Sequence, residues 1–413
     1  MVMAAAPCVS PESSPARPAT LTRMSLAKPT HRLLATAIVA VATAAAGPMA
    51  SAASITPLLD PSVTGGYTTN GYGISGDGST ILGRLTPTAG DQLAYVWRNN
   101  TATSLGTSTS APNPFTNLRT SEAAKSDSTG GIIAGVQGNV FEVEAWVLDN
   151  GVQTVLRGPG SPDGSRLGGI STDGQTVTGY SRYGSSSTTT TGWTWTAAGG
   201  YTSVQGSDTE ARGLSGDGSI VAGLVGTAAV RWINGGPAEL LGELAPGRTA
   251  TPDAVSQDGS TIVGTTSDFL AVSWSGLSIT QLPLNTGFDY SFAVGVSGDG
   301  SRIVGGAGDN TNFDDRAVLW TPEDGMLDLN AYLPTLGVDL TGWQLDYAQG
   351  ISYDGFKIVG DGTLNGVTTG FLVDITPVPE PSTVALAAIS IAGAGLALRR
   401  RQLARRRSQA AAS

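Results

Sequence analysis

Between residues 53 and 376, short apolar runs alternate with polar, glycine-rich breaks, and one pattern returns seven times. Its first phrase reads GISGDGSTILG up to Gly83, GISTDGQTVTG up to Gly179 and GLSGDGSIVAG up to Gly223. It returns as AVSQDGSTIVG up to Gly264, GVSGDGSRIVG up to Gly305 and GISYDGFKIVG up to Gly360, with a degenerate copy, AAKSDSTGGIIAG, up to Gly135. The closing glycines lie 52, 44, 44, 41, 41 and 55 residues apart. Apolar positions alternate on both sides of Asp-Gly, as in two strands joined by a tight hairpin turn. The closing glycine predicts a bend in the second strand or the close approach of another backbone.

A second phrase follows each copy: AYVW at Trp97, AWVL at Trp146, GWTW at Trp193 and Trp195, AVRW at Trp232, AVSW at Trp274, AVLW at Trp320 and GFLV at Phe371. It reads as a third strand whose aromatic residue packs between neighbouring sheets. A short run containing Leu or Val supplies a fourth. Four strands in ~40–50 residues is the period of a β-propeller blade. The seventh unit has only three strands and stops near Asp374, whereas SITPLL at 54–59 is a strand without a unit. The expected fold is therefore all-β, a propeller of seven blades closed by an N-terminal strand. A β-solenoid or an open array of hairpins is the alternative.

The two ends have a different pattern. Behind Lys28, His31 and Arg32 comes the apolar run LLATAIVAVATAAAG, then Ala50-Ser51-Ala52. A basic segment, a short apolar helix and a small-x-small site form a signal peptide cleaved after Ala52, with Met24 the better initiator. Residues 1–52 are thus leader, 53–376 repeat ectodomain and 377–413 tail. The tail carries Pro379-Glu380-Pro381, an apolar run at about 383–398 and a basic cluster opening with Arg399, Arg400 and Arg401. The run is marginal for a transmembrane helix, and the arginines should stay cytoplasmic. The three parts in that order resemble the PEP-CTERM sorting signal. The resemblance implies recognition by an exosortase, transient anchoring in the inner membrane, and delivery to the cell surface or extracellular matrix of a bacterium that makes exopolysaccharide. The tail departs from the usual pattern by continuing to Ser413.

The net charge of −10 hides these compartments. Residues 53–378 hold 13 basic and 31 acidic residues, a net of −18. Such a surface repels phosphate backbones, so no nucleic-acid partner is expected. The single cysteine, Cys8, and the single histidine, His31, both lie in the leader. The ectodomain therefore has no disulfide, no Ser-His-Asp or Cys-His mechanism and no usual zinc site. The repeat units resemble the HAF repeats of bacterial extracellular proteins, with residues 327–362 the nearest match. That resemblance implies an extracellular location and no defined activity.

Carboxylates remain the only candidate chemistry, and no catalytic residue is assigned. The repeat aspartates Asp77, Asp173, Asp217, Asp258, Asp299 and Asp354 suit turns. The segment GDNTNFDD, with Asp309, Asn312, Asp314 and Asp315, is the one loop whose oxygen ligands would suit calcium. A solvated acidic loop is its plainer reading. Trp343, outside the repeated phrases, suits core packing or a sugar-stacking surface. The expected protein is a non-enzymatic surface or matrix protein that binds exopolysaccharide or surface proteins. Its rivals are a secreted carboxylate-dependent carbohydrate-active enzyme and a structural spacer.

Overall fold

Each Ser-x-Asp-Gly phrase folds into a hairpin turn held by its own side chains. In the computed structural model, which describes residues 53–107, 119–139, 143–159, 164–182, 189–311 and 314–377, Ser75 Oγ donates to Asp77 Oδ1 at 2.6 Å. The same carboxylate oxygen accepts the Ser79 N–H at 2.9 Å, and Ser75 Oγ accepts the Thr80 N–H at 2.9 Å. The serine–aspartate bond recurs at Asp173, Asp217, Asp258, Asp299 and Asp354. The Ser219 N–H and the Ser215 hydroxyl hold Asp217 below the usual carboxylate range. In the degenerate copy Asp127 occupies the serine position, and its carboxylate accepts the Gly131 N–H at 2.8 Å. The repeat aspartates are thus turn-formers, as their setting in the sequence predicts.

The described residues form seven four-stranded antiparallel sheets, six of them in simple chain order. The innermost strands are Tyr67–Ile74, Thr120–Ser126, Ser165–Ile170, Thr209–Leu214, Ala250–Val255, Tyr290–Val296 and Trp343–Ile351, for blades one to seven. Blade seven takes its outer strand from the other end of the chain. Ser54–Pro57 pairs antiparallel with Val367–Asp374, from Ser54 opposite Asp374 to Pro57 opposite Phe371. Leu58 then donates its N–H to the Gly370 carbonyl at 2.8 Å and buries its side chain at 2% exposure. Residues 50–378 form one compact unit, so the closure is internal to it.

The closing glycines meet a β-bulge. In every blade the innermost strand shifts register opposite that glycine, as between Ala211 and Gly213 in blade four. The bulge turns a carbonyl toward the second strand, and a Cβ built on Gly223 would stand 1.8 Å from the Glu210 oxygen. The same clash, at 1.9–2.2 Å, awaits a side chain at Gly83, Gly135, Gly179, Gly264, Gly305 and Gly360. The repeated glycine is therefore required by the bulged neighbour, the second of the two reasons the sequence offers.

Tryptophan and alanine in the third strand build the seams between blades. Trp274 is fully buried and donates its indole N–H to the Gly242 carbonyl at 3.0 Å, in the connection from the preceding blade. Trp97, Trp232 and Trp320 make the same bond to Leu59, Gln205 and Pro283. The small residue opening the phrase lets the next blade approach. Ala145, Gly192 and Ala271 donate their N–H to hydroxyls of Ser165, Thr209 and Ser291 on the following innermost strand, at 2.8–3.1 Å. Gly370 does so to Thr69 at 3.0 Å, so blades seven and one share the seam used elsewhere.

A second closure runs through the turns. Backbone bonds link each turn to the next: Asp77 N–H to Ser128 O, Ser128 to Thr172, Thr172 to Gly216, and Gly216 to Gln257, all at 2.8–2.9 Å. Asp258 N–H to Gly298 O (3.1 Å), Gly298 to Tyr353 (2.9 Å) and Tyr353 to Gly76 (2.9 Å) complete the circle. Seven blades are thus joined by an unbroken ring of main-chain hydrogen bonds at one end of the axis.

One element was not expected. A helix, Leu329–Thr335, sits in the insertion before blade seven, N-capped by Asp328, whose side chain accepts the Asn330 N–H at 2.8 Å. Leu329 and Leu333, one turn apart, are fully buried in the blade-seven core, and that pair makes the turn helical. Among the described residues no helix is long and apolar enough to cross a membrane. The expected signal helix and the transmembrane helix at about 383–398 lie outside the described residues.

Candidate functional site

The innermost strands of all seven blades enclose a cavity of about 120 Å³ on the axis. The ring of turns forms its floor. Four ring positions are Gly76, Gly216, Gly298 and Ser128, and the larger Tyr353, Gln257 and Thr172 fill the space these leave. The Tyr353 ring lies where a Gly76 side chain would be, its Cδ2 only 2.2 Å from that Cβ position. Its hydroxyl is aimed toward Thr172, on the far side of the axis. The channel is therefore a cup, open at the end away from the turns.

Charged side chains stand in and around the wall, Asp253 and Lys125 lining the cavity itself, and most of them pair across blade boundaries. Arg84 of blade one meets Glu122 of blade two at 3.3 Å and lies over the Tyr72 ring at 5.5 Å. Arg212 of blade four meets its own blade's Glu210 at 2.8 Å and Asp253 of blade five at 3.5 Å. Asp361 of blade seven accepts the Gly71 N–H of blade one at 2.9 Å. Lys125 of blade two also lines the cavity. Counting back from the turns, its position is Gly73, Gly169, Gly213, Ala254, Gly295 or Gly350 in the other six blades.

Burial dominates the proton affinities here. It pushes Glu122 up despite Arg84, and it pushes Lys125 down against the attraction of Asp253. It also raises Asp253 and Asp361 from 3.8 to about 6. Between those values the native state keeps protons that the unfolded chain has lost, so stability falls as the pH rises from about 4 to 6 and stays lower above. The depressed turn carboxylates act oppositely and withdraw stability as the pH drops below about 4. Thermal melts should peak between these windows. Asp361→Asn, which still offers an oxygen to Gly71, is expected to remove up to about half of the decline between pH 4 and 6. An unchanged slope would mean that Asp361 does not titrate there.

Of the residues singled out by sequence, the acidic loop is the one the structure partly describes. Asp309 accepts the Thr311 N–H at 2.8 Å. Asp314 is paired with Arg316 and accepts from Gln344 Nε2 at 3.0 Å. Asp315 receives the Tyr290 hydroxyl at 2.5 Å and also the Tyr347 hydroxyl, which ties blade six to blade seven. Asn312 lies outside the described residues. Among the described residues no three His, Cys, Asp or Glu side chains are grouped to hold a metal ion. Trp343 packs edge-on against Phe371, with ring centroids 6.3 Å apart, inside the blade-seven core. Ala50 and Ala52, Pro379, Glu380 and Pro381, and Arg399 to Arg401 lie outside the described residues.

The wall of the cup was missed by the sequence reading. Part of its signal was present: with the seven copies aligned on their turns, Lys125 breaks a column of glycine and alanine.

Comparisons agree on the tail and on the fold. Residues 377–401 match the PEP-CTERM protein-sorting motif. The motif implies export, recognition by an exosortase and membrane anchoring before processing. No curated protein sequence matches the chain significantly. Among solved structures, an oligogalacturonate lyase in complex with manganese is similar over 78% of this chain and 93% of its own, at 15% identity and a TM-score of 0.51. The oligogalacturonate lyase of Vibrio parahaemolyticus is similar over the same shares, at 14% identity and a TM-score of 0.52. At such identities the likeness is one of fold.

Proposed function

We propose that this chain is a non-enzymatic surface or extracellular-matrix protein, whose propeller presents its loops to exopolysaccharide or to other surface proteins. The observation that carries the reading is the sorting motif at 377–401, joined directly to a propeller whose sequence has neither histidine nor cysteine. The HAF-like character of the repeats supports the same location. Around the cup, Glu122 and Asp253 each stand against an arginine of a neighbouring blade, an arrangement that stiffens seams between blades. An acidic exterior favours neutral glycans, or anionic ones bridged by calcium.

A second reading has one observation behind it. Burial lifts Asp253, which lines the cup, to about 6, where a carboxyl could serve as a general acid or base. The lyase activity of structurally similar propellers adds a reason to test it. Residues 53–378, incubated with the producing organism's own exopolysaccharide, with and without calcium, separate the two. Co-sedimentation without new reducing ends is the expected outcome. New reducing ends, lost in Asp253→Asn, would replace the binding reading with the enzymatic one. Self-association without retention on polymer would favour a spacer.

A further inference from the structure

Of the two charged residues that line the cavity, Lys125 and Asp253, Lys125 is the one whose charge no contact answers. Among the described residues it has neither a hydrogen bond nor an ion pair, and Asp253 attracts it without touching it. Asp253 is itself engaged by Arg212, and Arg212 by Glu210. The other six blades carry Gly or Ala at this level, where innermost strands crowd together: a Cβ on Gly73 would stand 2.1 Å from the Ala124 oxygen. Blade three answers the lysine with two successive glycines, Gly168 and Gly169, both lining the cavity beside it. An ammonium held in a confined site without a counter-ion destabilises the fold. Its position, above a floor sealed by backbone bonds and by Tyr353, gives that cost a use.

We propose that the cup is a binding site for one small carboxylate, whose anionic group takes the Lys125 ammonium. The open end admits the ligand, and the closed floor limits its depth. A cavity of about 120 Å³ takes one small molecule rather than a polymer segment. Arg166, on the innermost strand of blade three, lies farther from the turns than Lys125. The inference does not rest on the matrix-binding reading, because it concerns a monomer within the cup and not polymer on the loops.

The chain supplies its own probe. Beyond the leader it has only two lysines, Lys125 and Lys357, and Lys357 reaches the Gly78 carbonyl at 3.3 Å, in the turn region. Residues 53–378, isotopically labelled by reductive methylation, should show two lysine methyl signals by NMR. Sodium glucuronate is expected to shift the Lys125 signal saturably and to leave Lys357 in place, while glucose and sodium chloride at equal concentration shift neither. In calorimetry on unmodified protein, Lys125→Met should weaken glucuronate binding at least tenfold, and Lys125→Arg should retain it within a few-fold. A melting temperature for Lys125→Met at or above the wild type shows that the loss is not unfolding. The proposal is overturned by equal shifts at both lysines, by no saturable shift, by an equal response to chloride, or by undiminished binding in Lys125→Met.

Discussion

A propeller segment that begins at Pro61 is expected to lose cooperative melting. Removing residues 53–60 deletes the outer strand of blade seven and leaves Val367–Asp374 as an open edge. It also removes Leu58, which is buried among Ile81, Leu85, Tyr95, Trp97 and Val359 where blade seven meets blade one. The loss of one such leucine costs roughly 2–5 kcal/mol, a large part of a domain's typical net stability of 5–15 kcal/mol. The exposed edge then invites pairing between molecules. Light scattering and circular dichroism of fragment 61–378 should show aggregation and a broad transition. A synthetic peptide of residues 53–60, added in trans, should restore the sharp one by supplying the missing strand. If the fragment melts like the full segment, the main-chain ring of the turns closes the propeller by itself.

The second large effect is expected at a glycine. Gly223→Val places a branched side chain where even a Cβ lies 1.8 Å from the Glu210 oxygen. The innermost strand must move, and with it Arg212 and its two carboxylate partners. We expect about 3 kcal/mol of destabilisation or more, which lowers the melting temperature by roughly 5–10 °C. Gly226→Ala is the control. That residue sits in the next hairpin at φ +59° with nothing within 4 Å of its Cβ position, so only the left-handed backbone resists it. Its cost should be about 1 kcal/mol. Equal losses in the two variants would refute the bulge as the reason for the repeated glycine.

The architecture was legible because its information is local and repeated. Asp-Gly marks each turn by its own hydrogen bonds, the A-x-x-W phrase marks each third strand, and SITPLL at 54–59 has no partner except the incomplete seventh unit. The helix at Leu329–Thr335 escaped because its apolar pair, Leu329 and Leu333, sits in a stretch too short for periodicity to separate helix from strand. Asp127 made the second copy degenerate by taking the place of serine, yet its turn was still recognised. The cup was illegible for a different reason. A bulge breaks the alternation of the innermost strand, so the period of two that sorts inward from outward residues fails at Lys125, Arg212 and Asp253.

The seam of blade seven also sets how the molecule answers a pull. Any load carried by the tail enters the propeller at Asp374, the last residue of its terminal strand. That strand is not at an edge: Lys357–Leu364 flanks it on one side and Ser54–Pro57 on the other. Tension along it acts in shear on two ladders of hydrogen bonds at once, instead of opening one of them bond by bond. Because Ser54 lies opposite Asp374, the N-terminal strand bears on the very residue where the force arrives. The strand that completes the ring therefore also works as a clamp on the tether.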